Sequence, residues 1–218
     1  MNVIGLCGKA GSGKSTVARY LQDNYEVVVV SFADPLRNML SPVIDQIIYE
    51  DTETPVSAFF NEYKEDIIDE LGASPRKLLQ DIGALMRGHN EDVFVNLAQS
   101  KINMLIEIDR MIGKMVGATS VREMVYVIDD VRYDNEARWI NSHDGAVIAI
   151  DRDEKFLRKV PAHHSEKGVS PELVHFTYQN DNNIKAIKEI AEDIAMEFGI
   201  KASDPKPITD IRGSQRVH

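Results

Sequence analysis

Basic residues are in short supply: 25 Lys and Arg stand against 35 Asp and Glu in 218 residues, a formal net charge of −10. Neutralising a run of phosphates needs clustered cations, so no polymeric nucleic acid and no anionic membrane surface is expected as a partner, although a few local arginines suffice for a small anion. Cysteine is all but missing. Cys7 is the only one; it excludes an intrachain disulfide and, at the end of an apolar run, reads as a small packed core residue rather than a nucleophile. No run of about 18 apolar residues occurs, and Met1 to Cys7 is too short for a signal-peptide core, so a cytoplasmic protein without a membrane anchor is expected. Repeats and low-complexity segments are absent, as is a guanine-reading Asn-Lys-x-Asp motif. His163 and His164 are adjacent but have no third ligand at metal-binding spacing. What remains is a chain with 43% hydrophobic residues, enough for one α/β core with a small appendage.

One stretch carries most of the information. Gly8-Lys9-Ala10-Gly11-Ser12-Gly13-Lys14-Ser15 is a complete G-x-x-x-x-G-K-[ST] loop between an apolar strand-like run and a helical pattern. Its glycines permit turns in which successive N–H groups converge on an anion, and the helix starting near Lys14 adds its positive end. Lys14 is expected to neutralise the β- and γ-phosphates of ATP, Ser15 to ligate Mg²⁺, and Thr16 to help hold the α-phosphate. A Gly-rich strand-to-helix connection is the plainer alternative.

Asn2 to Cys7 and Glu26 to Phe32 read as strands, the second with the β-branched run Val27 to Val30 of a strand buried on both faces. Met124 to Ile128, Ala146 to Ile150 and Leu173 to Thr177 are the later candidates. Five strands alternating with helices predict an α/β fold with a five-stranded parallel sheet. Ligands of such a sheet gather at the carboxyl ends of its strands, where the loop, Asp34, Asp129, Asp130, Arg132 and Arg152 all fall. Residues 35–113 hold no convincing strand and read as a helical insertion, with Asp34-Pro35 and Ser74-Pro75 as cap-and-proline starts and Gly72 and Gly88 as stops. The last helix is expected over Asn182 to Phe198, and 200–218 as a loosely ordered polar tail. The domain organisation expected is therefore one domain over 1–199, with its core in 1–34 and 124–199.

On the helix starting at Pro75, Arg76, Gln80, Gly83 and Arg87 fall within about a 60° sector, with the two arginines about 16 Å apart along the axis. Two planar cations, an amide and a glycine making room between them form a groove for a nucleotide, unless the stripe is an ordinary solvated face. Met124 to Asp130 is an apolar strand ending in two carboxylates, the pattern of a Walker B strand; spacing alone does not separate Asp129 from Asp130. Charge-rich residues 151–172, with Arg152 and Arg158, read either as a solvated loop or as a lid that brings an arginine onto the transferred phosphoryl group.

Gly5 through Ser15, Phe32-Ala33-Asp34-Pro35-Leu36, Arg76 to Gln80 with Gly83 and Arg87, Asp129 to Tyr133 with Asn135-Glu136-Ala137, and His164-Ser165-Glu166 stand in order across nearly the whole chain. Together they resemble the bacteriophage deoxynucleoside monophosphate kinases, within the nucleoside monophosphate kinase group of P-loop proteins. The resemblance implies the three-layer P-loop fold with a helical monophosphate-binding insertion and a lid over about 152–172. It also implies phosphorylation of deoxynucleoside monophosphates with ATP and Mg²⁺, a host-cytoplasm setting if phage-encoded, and a homodimer as in the family. Carried over residue by residue, Gly8, Lys9, Ala10, Gly11, Ser12, Gly13, Lys14, Ser15 and Thr16 bind ATP, and Asn180, in the loop after the last strand, joins the adenine pocket. Asp34, Arg37, Arg76, Gln80, Arg87, Asp130, Arg132 and Glu136 line the monophosphate site. Lys14, Arg132, Arg152 and Arg158 are the expected catalytic cations, and Ser15 and Asp129 the expected metal ligands. The chain departs from the family pattern in a longer Glu107 to Glu123 segment and in Phe94, where a tryptophan is expected. The nearest rival is another small-molecule P-loop kinase, such as a dephospho-coenzyme A kinase; a nucleotide-dependent switch protein is the rival of another class.

Overall fold

The computed structural model describes residues 2–47, 55–117, 124–157, 167–181 and 183–203. Its centre is a five-stranded sheet in the order β2-β3-β1-β4-β5, formed by β1 (Asn2–Cys7), β2 (Val27–Val30), β3 (Val125–Ile128), β4 (Ala146–Arg152) and β5 (Phe176–Asn180). Every pairing is parallel. β1 and β3 are apolar on both faces, as buried parallel strands must be. α1 (Lys14–Asn24) and α7 (Ile184–Glu197) cover one face with Val17, Leu21, Ile187 and Ile194. The other face is covered by α5 (Val93–Met115) and α6 (Asp134–Ser142), with Phe94, Ile102, Trp139 and Ile140 packed on Val3, Cys7, Tyr126 and Ile128. These are the three layers.

Between β2 and β3 the described chain is helical: α2 (Asp34–Ile47), α3 (Val56–Phe59), α4 (Pro75–His89) and then α5. α2 and α4 pack through Leu40, Ile44, Leu78, Leu79 and Ile82 into a satellite cluster of their own. Ser74 caps α4, its hydroxyl accepting from the Lys77 N–H at 3.3 Å, with Pro75 at the first helical position. Gly88 does not stop α4, which runs to His89.

β2 is shorter than the sequence reading and β4 two residues longer, and at three further boundaries the structure shows the physical reason for the difference. Leu173 closes a short 3-10 turn, Pro171–Leu173, so β5 starts three residues later, where Phe176 pairs with Ile148. Asn183 caps α7 by accepting from the Ala186 N–H at 2.7 Å, which starts the helix at Ile184. The first residues of the supposed tail are tied down: Ile200 is buried, Glu26 N–H donates to Lys201 O at 2.8 Å, and Ser203 N–H to Asn24 O at 2.9 Å. Residues 204–218 lie outside the described residues.

Candidate active site

β1 ends at Cys7 and α1 begins at Lys14, leaving six residues to turn the chain at the carboxyl edge of the sheet. Gly8, Gly11 and Gly13 take φ of 132°, 82° and 106°, the left-handed region where a side chain is strained. At Gly13 a Cβ would also stand 2.6 Å from Asn180 Nδ2. Carbonyls of such a loop must face away from the concavity for the N–H groups to face into it, and two side chains hold them there. Asn180 Nδ2 donates to Ser12 O at 2.8 Å, and Arg152 Nη1 donates to Gly11 O at 2.6 Å. Lys14 Nζ lies over the loop, donating to Gly8 O at 2.7 Å and Lys9 O at 2.9 Å. Ser15 and Thr16 are exposed in the first turn of α1, and the N–H groups of Thr16 and Val17 both donate to Gly13 O. The loop opens onto a cavity of about 340 Å³ lined by Lys9, Ala10, Lys14, Arg132, Asp151, Lys167 and His175.

Asn180 is therefore placed differently from the sequence reading: it is the last residue of β5, 4% exposed, and its amide is turned to the loop backbone. We expect Asn180→Ala to raise KM for ATP about tenfold by releasing the Ser12 carbonyl. The check is KM for both substrates, and an unchanged KM for ATP would relieve Asn180 of that role. Burial pushes the Cys7 thiol up to about 11, the environment of a packed and unreactive residue.

Across Arg132 lies a second cavity of about 140 Å³, between the carboxyl edge of the sheet and the α2–α4 pair. Arg37, Arg76, Gln80, Arg87, Asp130, Arg132 and Glu136 line it. Seven of the eight residues carried to the monophosphate site thus come together from α2, α4, α6 and the turn after β3. Asp34 is the exception. It opens α2, but its carboxylate turns to Ser31 N–H at 3.2 Å, Arg37 Nη1 at 3.0 Å and Lys101 Nζ at 2.8 Å. Lys101, reaching in from α5, gave no sequence signal, and neither did Phe60 and Lys64 of the cavity wall; Tyr133, in the same wall, lies within a quoted motif but was given no role of its own. Lys64 is held there because its carbonyl accepts from Arg76 N–H at 3.0 Å while Arg76 Nε pairs with Glu65 at 2.7 Å.

The wall nearest the sheet is held by a buried carboxylate. Glu136, 1% exposed, accepts from the N–H groups of Arg132 at 2.8 Å and Tyr133 at 3.1 Å and from Arg87 Nη2 at 2.9 Å. Arg87 is further fixed between two rings, 4.5 Å from the centroid of Phe94 and 4.0 Å from that of Tyr133. Phenylalanine at position 94 thus supplies a face for the guanidinium. Burial pushes the Glu136 carboxyl up to about 7 against the pull of those donors.

The two acids after β3 separate cleanly. Asp130 is spent on the backbone, accepting from Phe32 N–H at 2.7 Å and Ala33 N–H at 3.0 Å, so it fixes the turn into α2. Asp129 accepts from the Ser31 hydroxyl, and burial followed by the charge of Asp130 raises its carboxyl to about 6. A carboxyl raised from 3.8 to about 6 favours the fold when protonated, so that support is complete below pH 4 and is lost as the pH rises through about 6. Asp129→Asn should accordingly melt no lower than the parent chain at pH 8, with its advantage vanishing below pH 4. Melting curves across that range test it, and a lower melting temperature at pH 8 would make the charge structural. Among the described residues no cluster of three or more His, Cys, Asp or Glu is arranged to hold a metal. No helix of the described residues is long and apolar enough to cross a membrane. Arg158 and residues 163–166 lie outside the described residues.

A phosphate loop at the centre of a parallel sheet, separated by one arginine from a second, arginine-lined cavity, is the arrangement of a P-loop kinase. No family model matches the chain. A protein of Acanthamoeba polyphaga mimivirus named "Putative deoxynucleotide monophosphate kinase" is 35% identical over 159 residues, covering 70% of this chain and 75% of that one. The chain belongs to the deoxynucleotide monophosphate kinase family, and it is a kinase. Among solved structures it overlaps TT1252 from Thermus thermophilus at 15% identity and a TM-score of 0.44, covering 90% of this chain and 97% of that one. It overlaps the dephospho-CoA kinase from Campylobacter jejuni at 14% identity and a TM-score of 0.40, covering 90% and 96%. At those scores neither likeness bears on the acceptor.

Proposed function

We propose that the chain transfers the γ-phosphoryl group of ATP to the phosphate of a deoxynucleoside monophosphate, giving the two diphosphates. The observation that carries this reading is the cavity opposite the phosphate loop, where four arginines and the Gln80 amide converge on a space already walled by Phe60 and Tyr133. A monophosphate needs planar cations for its oxygens, and a base needs an apolar wall and an amide to meet its edge.

In this reading the residues from Gly8 to Thr16 hold the triphosphate, with Lys14 moving from the loop carbonyls onto the β- and γ-phosphates. An oxygen of the acceptor phosphate attacks the γ-phosphorus in line, the bond from that phosphorus to the β–γ bridging oxygen breaks, and ADP leaves with the electron pair. No proton need be taken from the acceptor, because its phosphate is already ionised near neutral pH. The protein's part is positioning and charge. Arg132 lines both cavities, which supports a role in holding both donor and acceptor phosphates; Arg152 keeps the loop in shape and, with Arg158, belongs to the expected lid.

The donor set fits Mg²⁺. Asp129 is a carboxyl raised by burial and a like charge, the environment a divalent cation relieves, and Ser15 stands in the first turn of α1; few protein ligands suit an ion that is otherwise held by phosphate oxygens and water. Ser15 and Asp129 would hold it, and its charge would help neutralise the phosphate oxygens.

An ADP-release assay with ATP and Mg²⁺ against dTMP, dGMP, dCMP, dAMP, the ribonucleotides and dephospho-coenzyme A tests the proposal. Turnover on one or more deoxynucleoside monophosphates is expected; activity on dephospho-coenzyme A alone, or hydrolysis independent of any acceptor, would overturn it.

A further inference from the structure

Asp34 is shared unevenly between its partners. Its Oδ1 accepts from Arg37 Nη1 at 3.0 Å, while its Oδ2 accepts from Lys101 Nζ at 2.8 Å and from Ser31 N–H at 3.2 Å. A carboxylate and a guanidinium commonly meet fork to fork, with both oxygens engaged. Here both lone-pair positions of the second oxygen are taken by other donors, so Arg37 is held through one oxygen only. Arg37 lines the acceptor cavity, whereas Asp34 and Lys101 line neither cavity. On α5, Leu97, Ala98, Met104 and Leu105 stand three and four residues from Lys101, so no acid at pairing distance on its own helix competes for the ammonium. Acid crowds the corner it reaches. Ser31 donates its N–H to Asp34 and its hydroxyl to Asp129, and Asp130 holds the next two N–H groups, so three carboxylates stand at the turn from β2 into α2.

We infer that Lys101 is a positioning residue for the acceptor: by occupying the second oxygen of Asp34 it keeps Arg37 on a single bond, from which the guanidinium can turn to the acceptor phosphate. Two effects act in the same direction. Without the ammonium a lone-pair position opens on Oδ2, Asp34 draws Arg37 onto both oxygens, and an incoming phosphate has a bidentate pair to break. The ammonium also offsets one of the three carboxylate charges that a phosphate dianion meets at this corner. An arginine at position 101 keeps both effects; a methionine, with a stem of similar length, keeps neither. Lys101 acts through Asp34, so its loss leaves the phosphate loop and the transfer step untouched. Its part at the acceptor rests on the reading of the cavity as a monophosphate site, whereas its hold on Arg37 does not.

Steady-state kinetics of Lys101→Met and Lys101→Arg, on the deoxynucleoside monophosphate that the wild type phosphorylates fastest, test the proposal together with labelling of Arg37 by phenylglyoxal, located by mass spectrometry. Lys101→Met is expected to raise KM for the acceptor about tenfold with kcat and KM for ATP unchanged, and Lys101→Arg to restore the wild-type KM. The melting temperature should hold in both variants, because Lys101 is 41% exposed and ion pairs at the surface add little stability. Arg37, 35% exposed, should be labelled about fivefold more slowly in Lys101→Met than in the wild type when no nucleotide is present. Equal labelling, or an unchanged KM for the acceptor, would overturn the proposal. Two KM values that rise together, or a rise that Lys101→Arg fails to reverse, would do the same by making Lys101 a structural residue. A wild type that phosphorylates no deoxynucleoside monophosphate would overturn the proposed activity instead, and the labelling would still decide whether Lys101 governs Arg37.

Discussion

Lys14→Ala is expected to lower kcat by about 10² to 10³ while leaving the fold intact, the loss typical of removing one strong electrostatic donor from a phosphoryl-transfer site. Lys14 bonds two loop carbonyls, at 2.7 and 2.9 Å, and the Ser12 hydroxyl at 3.5 Å. Water can replace the ammonium at the Lys9 carbonyl, so the melting temperature should barely move. The transition state has no such substitute: charge spreading over the γ-phosphate oxygens needs a fixed cation, and a water molecule is neither charged nor fixed. Lys14→Arg should not rescue, because a wide planar fork does not fit a nest shaped around a compact ammonium. Steady-state turnover with melting curves on the same samples decides the matter, and near-normal turnover in a folded Lys14→Ala protein would remove Lys14 from the mechanism.

Glu136→Ala should be the most damaging single change near the acceptor cavity, costing about 3–5 kcal/mol of stability. The carboxylate is buried and answers three donors, so its removal strands the Arg132 and Tyr133 N–H groups and leaves the Arg87 guanidinium, only 20% exposed, without its counter-charge. Arg87 would keep its two aromatic faces but lose its direction. Glu136→Gln separates the two functions. Its carbonyl can still accept from the two backbone N–H groups, but its amide nitrogen turns a donor toward Arg87, so the acceptor KM should rise at least about tenfold with a smaller loss of stability and an unchanged KM for ATP. Equal changes in both KM values would mean that Glu136 supports the whole edge of the sheet rather than the acceptor wall.

The residues that could be found by reading differ in kind from those that could not. The phosphate loop was legible because its chemistry needs fixed residue types at fixed spacing within eight consecutive positions, and the same holds for the Arg76, Gln80, Arg87 stripe at helical period. β1 was read to the residue because its apolar run ends at a glycine turn. β5 was misplaced by three residues because Leu173 and Val174 are as apolar as a strand requires, and only the proline turn at 171 and the pairing with β4 fix where it starts. Asp129 and Asp130 could not be told apart in sequence, since consecutive residues leaving a strand diverge according to the turn that follows. That turn gives Asp130 two backbone N–H groups and Asp129 the Ser31 hydroxyl.

Lys101 marks the limit of linear reading most clearly. It stands 67 residues from Asp34, in a helix whose pattern is that of core and surface, and nothing in its neighbourhood distinguishes it from any other lysine on a solvated face. Its ion pair exists because α5 packs against the sheet through Phe94, Val95, Ala98 and Ile102, which brings the next side of the helix over the start of α2. The sequence by itself determined a parallel α/β sheet, a phosphate loop at its centre and an arginine stripe on a helical insertion, because each is encoded by local period and local spacing. Only the tertiary structure decided which acid faces which partner, that Asn180 and Arg152 shape the loop, and that Glu136 and two rings aim Arg87. Those outcomes depend on which distant segments share a surface, and that is set by the packing of the whole core rather than by any stretch of the chain.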